Sequence, residues 1–288
     1  MKILKAWVLI GLCFLSSGCF KRDTLEDISV TTTVYPLEFV MKSLYGEHSS
    51  VHSVYPDDTN SFSYSLTNKQ VDDASRRDLL IYNGATNDKD MAFEFTTKNN
   101  DLLIIDASYG IDVSYHDAEL WLNPSNLLMI SQNIKNGLQE YISNSYLKKE
   151  IDQSYEELKV GSSELDAELR LTANNASKKT VVVNSDALLF LEKYGFNVIS
   201  LDDTKTTITD KQASDVKEMI SSKQVENIFL LQYEKNSNVL NQIITDTNVS
   251  TLTLKRIDTI TDSERENGQD YIYLMMENIE QLKKELYE

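Results

Sequence analysis

The chain has 288 residues and a formal net charge of −17, from 28 Lys and Arg against 45 Asp and Glu. This negative field repels a phosphate backbone, so the composition argues against a nucleic-acid partner. The two cysteines, Cys13 and Cys19, lie near the amino terminus, which excludes thiol catalysis and cysteine metal sites from the rest of the chain.

The amino-terminal segment has the pattern of an export signal. Two lysines precede an apolar run at residues 6–15, about ten residues, which suits a signal-peptide core and is too short to span a bilayer. Small residues then lead to Cys19, in a pattern that resembles a bacterial lipobox. We therefore expect residues 1–18 to be a signal peptide, Cys19 to carry lipid, and residues 19–27 to form a tether. An ordinary cleaved signal with a chance cysteine is the alternative.

The export signal and the lipobox-like cysteine predict a protein held by its lipid anchor on the extracytoplasmic face of the cell membrane.

After the signal, short β-rich runs recur along the chain, at residues 28–34, 51–55, 79–83, 102–106, 180–184, 197–201, 227–231 and 250–254. Helical patterns separate many of them, at residues 37–45, 125–146, 186–194, 211–222, 239–247 and 270–287. The alternation predicts an α/β fold with two lobes, each a mostly parallel four-stranded sheet flanked by helices.

A long polar helical pattern separates the two sets of strands, at residues 148–173. Apolar side chains recur in it at steps of three, four and seven residues, at Ile151, Tyr155, Leu158, Leu165 and Leu169. Because the segment contains no proline, we expect a rigid helix about 40 Å long. We assign residues 28–147 to an amino-terminal lobe, 148–174 to a connecting helix and 175–288 to a carboxy-terminal lobe. A surface helix of one lobe is the alternative.

Four segments of the chain carry motifs that can be compared with known proteins: residues 31–37 (TTTVYPL), 78–84 (DLLIYNG), 121–124 (WLNP) and 268–278 (GQDYIYLMMEN). They resemble segments of the metal-binding (zinc or manganese) substrate-binding lipoproteins of bacterial ABC importers. In the same order along the chain, the matching segments are that family's first strand and turn, its third strand, its Trp-Leu-Asp-Pro segment and its last helix.

The resemblance implies a monomeric binding protein that captures Zn²⁺ or Mn²⁺ between its lobes and delivers it to an ABC permease in the membrane. It does not imply an enzyme, and we find no nucleophile–base arrangement or nucleotide loop in the sequence. The family's site has three His and one carboxylate or a fourth His. Neutral imidazole suits both metals.

None of the family's histidines is kept at the aligned positions. Phe62 stands at the first, Glu119 at the second and Ser185, beside Asp186, at the third. Lys255 stands at the fourth ligand position. The resemblance is therefore to a divergent member with a degenerate metal site.

Two accounts of this site remain open. In the first, a cation binds through new ligands, chiefly Glu119, Asp186 and His116, with further candidates at Asp57, Asp58 and Asp258. Such oxygen-rich ligands favour Mn²⁺ or Ca²⁺ over Zn²⁺. In the second, the metal site is lost, and Glu119 and Lys255 form an ion pair in the cleft.

The role of the protein has a matching alternative. If the metal site is lost, the chain is either still the binding component of an importer, or a surface lipoprotein, adhesive or regulatory, that keeps only the scaffold.

Overall fold

The computed structural model describes residues 26–113 and 118–287, so the predicted signal peptide and Cys19 lie outside the described residues. The amino-terminal half contains four strands, β1 to β4, at Ile28–Thr32, Ser49–Ser53, Leu79–Tyr82 and Leu103–Asp106. Its helices α1 to α4 are Tyr35–Tyr45, Asn68–Ser75, Asp88–Lys98 and Pro124–Tyr141. Short 3₁₀ segments lie at Gly46–His48 and Leu120–Leu122.

The long helix α5, Ser145–Asn175, leads into the second half. Strands β5 to β8 follow at Thr180–Val183, Asn197–Ser200, Asn227–Leu231 and Ser250–Leu254. The helical elements of this half are a 3₁₀ segment, Asp186–Tyr194, and helices α6 to α9 at Asp210–Ser221, Asn238–Thr247, Asp262–Glu266 and Tyr271–Leu286.

The two sheets have the same topology. Their strand orders are β2-β1-β3-β4 and β6-β5-β7-β8, and every strand pair is parallel. Each strand lies within two residues of its predicted run. The prediction of two α/β lobes with four-stranded parallel sheets and a long connecting helix is confirmed.

The helices differ from the prediction in three ways. The pattern at residues 125–146 is two helices, because Ile142 and Asn144 have extended backbone angles and the Asn144 side chain caps the start of α5. The segment Asp186–Tyr194 is a 3₁₀ helix. Helices α2, α3 and α8 were not predicted, since they are short or largely polar and at most three residues of each are buried.

One hydrophobic core joins the two halves. It contains buried residues of both sheets together with those of α1, α4, α5 and α9. Two smaller clusters cover the other side of each sheet, one beneath α2 and α3 and one beneath α6 and α7. Helix α5 packs against α1, α4 and α9, and at 1.5 Å per residue its length is about 46 Å. None of the helices described is both long and apolar enough to span a bilayer.

Candidate functional site

The loop after β8 meets the loop after β2 where the two lobes face each other. Ligands of parallel α/β sheets bind at this carboxyl edge of the strands. The Tyr35 amide donates to the Asp258 carbonyl over 2.8 Å, and the Asp58 amide donates to the Ile260 carbonyl over 3.0 Å. The Thr259 hydroxyl donates to the backbone carbonyl of Thr59. The lobes are therefore held together by direct hydrogen bonds along this edge.

A buried guanidinium lies at the centre of this cleft. Arg256 is 1% exposed, and its Nε and Nη2 donate to the two carboxylate oxygens of Asp258 over 3.0 and 2.8 Å. Its Nη1 donates to Glu234 over 3.0 Å, and its Nη2 also donates to the Asn60 side-chain oxygen. A paired fork of this kind is the strongest protein hydrogen-bond geometry.

Aromatic rings from both lobes lie against the same guanidinium. Its carbon is 4.4 Å from the ring centre of Phe62 and 5.4 Å from that of Tyr233. Burial alone lowers the pKa of Arg256, but its bonds to Asp258, the charge of Glu119 and the bond to Glu234 raise that pKa above its ordinary value. The cleft therefore holds a permanent positive charge supplied by the protein.

Asp258 connects this charge to the amino-terminal lobe. Its carboxylate is 1% exposed and accepts from the Ser61 amide over 3.0 Å and from the Ser61 hydroxyl over 2.6 Å. The buried carboxylate thus has its negative charge paired and its oxygens hydrogen-bonded, which a buried ion requires.

Three residues in the loops that follow β2, β7 and β8 have left-handed backbone angles. Ile257 has φ +62°, Tyr233 +66° and Asp58 +59°. A β-branched residue such as isoleucine rarely adopts this region. Such conformations persist only where the surroundings enforce them, and they cluster at ligand clamps and switches. At Ile257 the backbone lies between Arg256 and Asp258, the two sides of the buried ion pair.

The predicted ion pair between Glu119 and Lys255 is wrong. The ammonium of Lys255 lies between two other carboxylates, 2.7 Å from Glu277 and in direct contact with Glu264. Burial lowers the pKa of Lys255, and these two partners raise it above its usual value. Extended residues point alternately to opposite sides, so Arg256 enters the cleft and Lys255 faces α8 and α9.

The other aligned positions have separate surroundings. Glu119 is 8% exposed and lines an interlobe cavity of about 360 Å³ together with residues of the 3₁₀ segment Asp186–Tyr194. Ser185 caps that segment by accepting from the Ala187 amide. Asp186 accepts from the Ser200 hydroxyl over 2.6 Å, within its own lobe.

The remaining candidates do not complete a metal site in the part of the chain that the structure describes. His116 lies outside the described residues. Asp57 forms an ion pair with Arg265, which also contacts Glu38. Within residues 26–113 and 118–287, no three His, Cys, Asp or Glu side chains lie close enough together to hold a metal ion.

Sequence reasoning missed the residues that meet at the centre of the cleft: Asn60, Tyr233, Glu234 and Arg256. The signal was present in the Arg-Ile-Asp order of residues 256–258 directly after the last strand, but nothing local shows that this arginine is buried.

Comparison with known proteins gives a family match and relatives of similar length. The family model for "zinc-uptake complex component A, periplasmic" matches residues 30–285. The manganese ABC transporter substrate-binding lipoprotein PsaA of Streptococcus pneumoniae is 24% identical, over 97% of this chain and 95% of its own length. The high-affinity zinc uptake system protein ZnuA of Bacillus subtilis (strain 168) is 22% identical, over 99% of this chain and 96% of its own.

Solved structures have the same architecture. The zinc-bound ZnuA-like domain of Streptococcus pneumoniae AdcA has a TM-score of 0.73 at 18% identity, covering 91% of this chain and 100% of that one. The metal-dependent lipoprotein YcdH of Bacillus subtilis has a TM-score of 0.74 at 21% identity, with the same coverage of both chains.

The two parallel-sheet lobes that face each other across a cleft, together with the family match, define a solute-binding protein of the ABC-importer class and not an enzyme. By the match over residues 30–285, the chain belongs to the family of periplasmic component A of zinc-uptake complexes. The resemblance stated from the sequence is thereby confirmed.

Proposed function

We propose that this chain is the extracytoplasmic solute-binding component of an ABC importer, a monomer held to the membrane by lipid on Cys19 and delivering its solute to a membrane permease. The family match over nearly the whole described chain supports this role. Relatives named as metal-transporter substrate-binding lipoproteins align over 97% or more of it. This favours importer function over a purely adhesive or regulatory scaffold.

We further propose that the zinc site of the family is degenerate here, so that zinc binds weakly or not at all. The observation that carries this is the charge of Arg256 in the cleft, in contact with Phe62 at the first aligned ligand position. A zinc site needs N, O or S donors at about 2.0–2.3 Å. A phenyl ring supplies none, and the guanidinium already occupies the oxygens of Asp258, Glu234 and Asn60 that an incoming ion would need.

A cation captured beside it would use mainly oxygen ligands. The candidate ligands are the carboxylates of Glu119 and Asp186 with the imidazole nitrogen of His116, and an oxygen-rich set favours Mn²⁺ or Ca²⁺ over Zn²⁺. The degenerate zinc site and the oxygen-rich cation site both predict that tight zinc binding needs the full set of family ligands.

Titration calorimetry with Zn²⁺ and Mn²⁺ on chelator-treated protein tests this. The wild type should give little or no zinc heat. The variant with Phe62→His, Glu119→His, Ser185→His and Arg256→Gln should bind zinc. The matched control keeps Arg256 beside the same three histidines and should bind far more weakly. Tight zinc binding by the wild type would contradict the degenerate site.

The anchor has its own test. Cys19→Ala should abolish lipid attachment, so that the protein appears in the medium or remains as an uncleaved precursor. Cys13→Ala is the matched control, because Cys13 lies inside the predicted signal peptide and should leave processing unchanged. Cell fractionation shows where each variant is found, and gel mobility shows whether the signal peptide has been removed. A Cys19→Ala protein that stays in the membrane at wild-type size would disprove lipidation.

A further inference from the structure

We infer that Arg256 takes the place of a captured cation and sets the specificity of the cleft, because its guanidinium closes the two lobes on each other without solute. This inference rests on the proposed function and deepens it. It assigns the exclusion of divalent metal to the Arg256 side chain. The cleft is then built to hold the planar guanidinium of Arg256 itself.

The guanidinium contacts both lobes at once. On the carboxy-terminal side it binds Asp258 and Glu234. On the amino-terminal side it binds the Asn60 oxygen and lies 4.4 Å from the ring centre of Phe62. A captured ion in a two-lobed protein has the same task, which is to give both lobes one shared cationic partner.

The chemistry of the cleft fits a flat fork better than a spherical ion. Four hydrogen bonds use Nε, Nη1 and Nη2 of Arg256, and two of them are the parallel pair to Asp258. Aromatic faces bind a delocalised cation well. A divalent ion could enter only by displacing this group, and Asp258, Glu234 and Asn60 would then lose fitted bonds.

Closure around Arg256 is reinforced by the backbone on either side of it. The Arg256 carbonyl accepts from the Trp121 indole over 2.7 Å. Two residues on, the Asp258 carbonyl accepts from the Tyr35 amide. Releasing the guanidinium would therefore loosen hydrogen bonds whose donors lie in the amino-terminal lobe, which gives a direct measurement of closure.

The experiment combines truncation with chemical rescue in the full chain. Arg256→Ala removes the atoms of an ethylguanidinium, which can be added back at millimolar concentration. Hydrogen exchange by mass spectrometry follows the peptides that contain the Tyr35 and Asp58 amides, in chelator throughout. Ethylammonium is the control ligand, with the same charge but no fork. Lys255→Ala is the control variant, with a neighbouring cation that does not enter the cleft.

We expect the wild type to protect both amides in chelator, with no change when zinc is added. Arg256→Ala should exchange at both amides at least about tenfold faster. Ethylguanidinium should restore protection to that variant by mass action, while ethylammonium should not. Lys255→Ala should behave like the wild type.

If Arg256→Ala does not fold, Arg256→Ala/Asp258→Ala removes the orphaned carboxylate as well, and should fold with fast exchange at Tyr35 and Asp58. Unchanged exchange in the folded variant, or equal rescue by ethylammonium, overturns the inference and leaves the proposed importer role intact. Zinc-dependent protection of the wild type instead overturns the degenerate site itself.

Discussion

Placing proline at Glu157 tests whether α5 is the rigid element that joins the halves. Glu157 is exposed and lies near the middle of the 31-residue helix, between the buried side chains of Tyr155 and Leu158. Proline removes the backbone N–H that donates a hydrogen bond to the preceding turn, and its ring clashes with that turn's carbonyl, at a cost of about 3 kcal/mol or more.

The cost should reach the shared core, because Tyr155 and Leu158 belong to it. For a chain of this size, a loss of about 3 kcal/mol lowers the unfolding midpoint by roughly 6–12 °C. Thermal unfolding measured by circular dichroism checks this. Glu157→Ala is the control and should change stability by less than about 0.5 kcal/mol. If the proline variant has the same unfolding midpoint as the alanine variant, α5 is not a continuous helix that stabilises the shared core.

Two further predictions concern packing and charge. Gly137→Ala should cost about 1–3 kcal/mol of unfolding free energy, because a Cβ there lies 2.6 Å from Ile105 Cγ1. Gly161→Ala, whose Cβ meets nothing closer than 3.5 Å, should be neutral or stabilising by up to about 1 kcal/mol, and denaturant unfolding compares the two. Burial raises the pKa of the Glu264 carboxyl, but hydrogen bonding to Lys255 holds it below its usual value overall. Stability from Glu264 is therefore present above its unfolded pKa and is lost as pH falls through the folded pKa. Lys255→Met should raise that pKa and move the loss to higher pH, and a carboxyl NMR titration that shows no shift would count against the pairing.

Further contacts join the two lobes along the interlobe edge. Arg265, from α8, binds Asp57 and the buried Glu38 of the other lobe. The Tyr271 hydroxyl donates to the Trp121 carbonyl in the core. These contacts lie beside the Arg256 cluster, and they extend the lobe-to-lobe contact on either side of the buried guanidinium.

Local patterns in the sequence determined the eight strands and the helix α5. Buried parallel strands are short and apolar on both faces, and a long amphipathic helix repeats its apolar residues every three or four positions. These signals depend only on neighbours along the chain. Helices α2 and α3 were not predicted because only a few of their side chains are buried, against one face of the amino-terminal sheet.

The site could not be determined in this way. The alignment placed Lys255 in the cleft, and the structure places the next residue, Arg256, there. A shift of one residue in an extended segment moves a side chain to the opposite side. Here the direction is fixed by the register of β8, by the left-handed backbone at Ile257, and by Asn60 and Phe62, nearly 200 positions away. Burial of a charge depends on partners brought from distant parts of the chain, and only the tertiary structure supplies them.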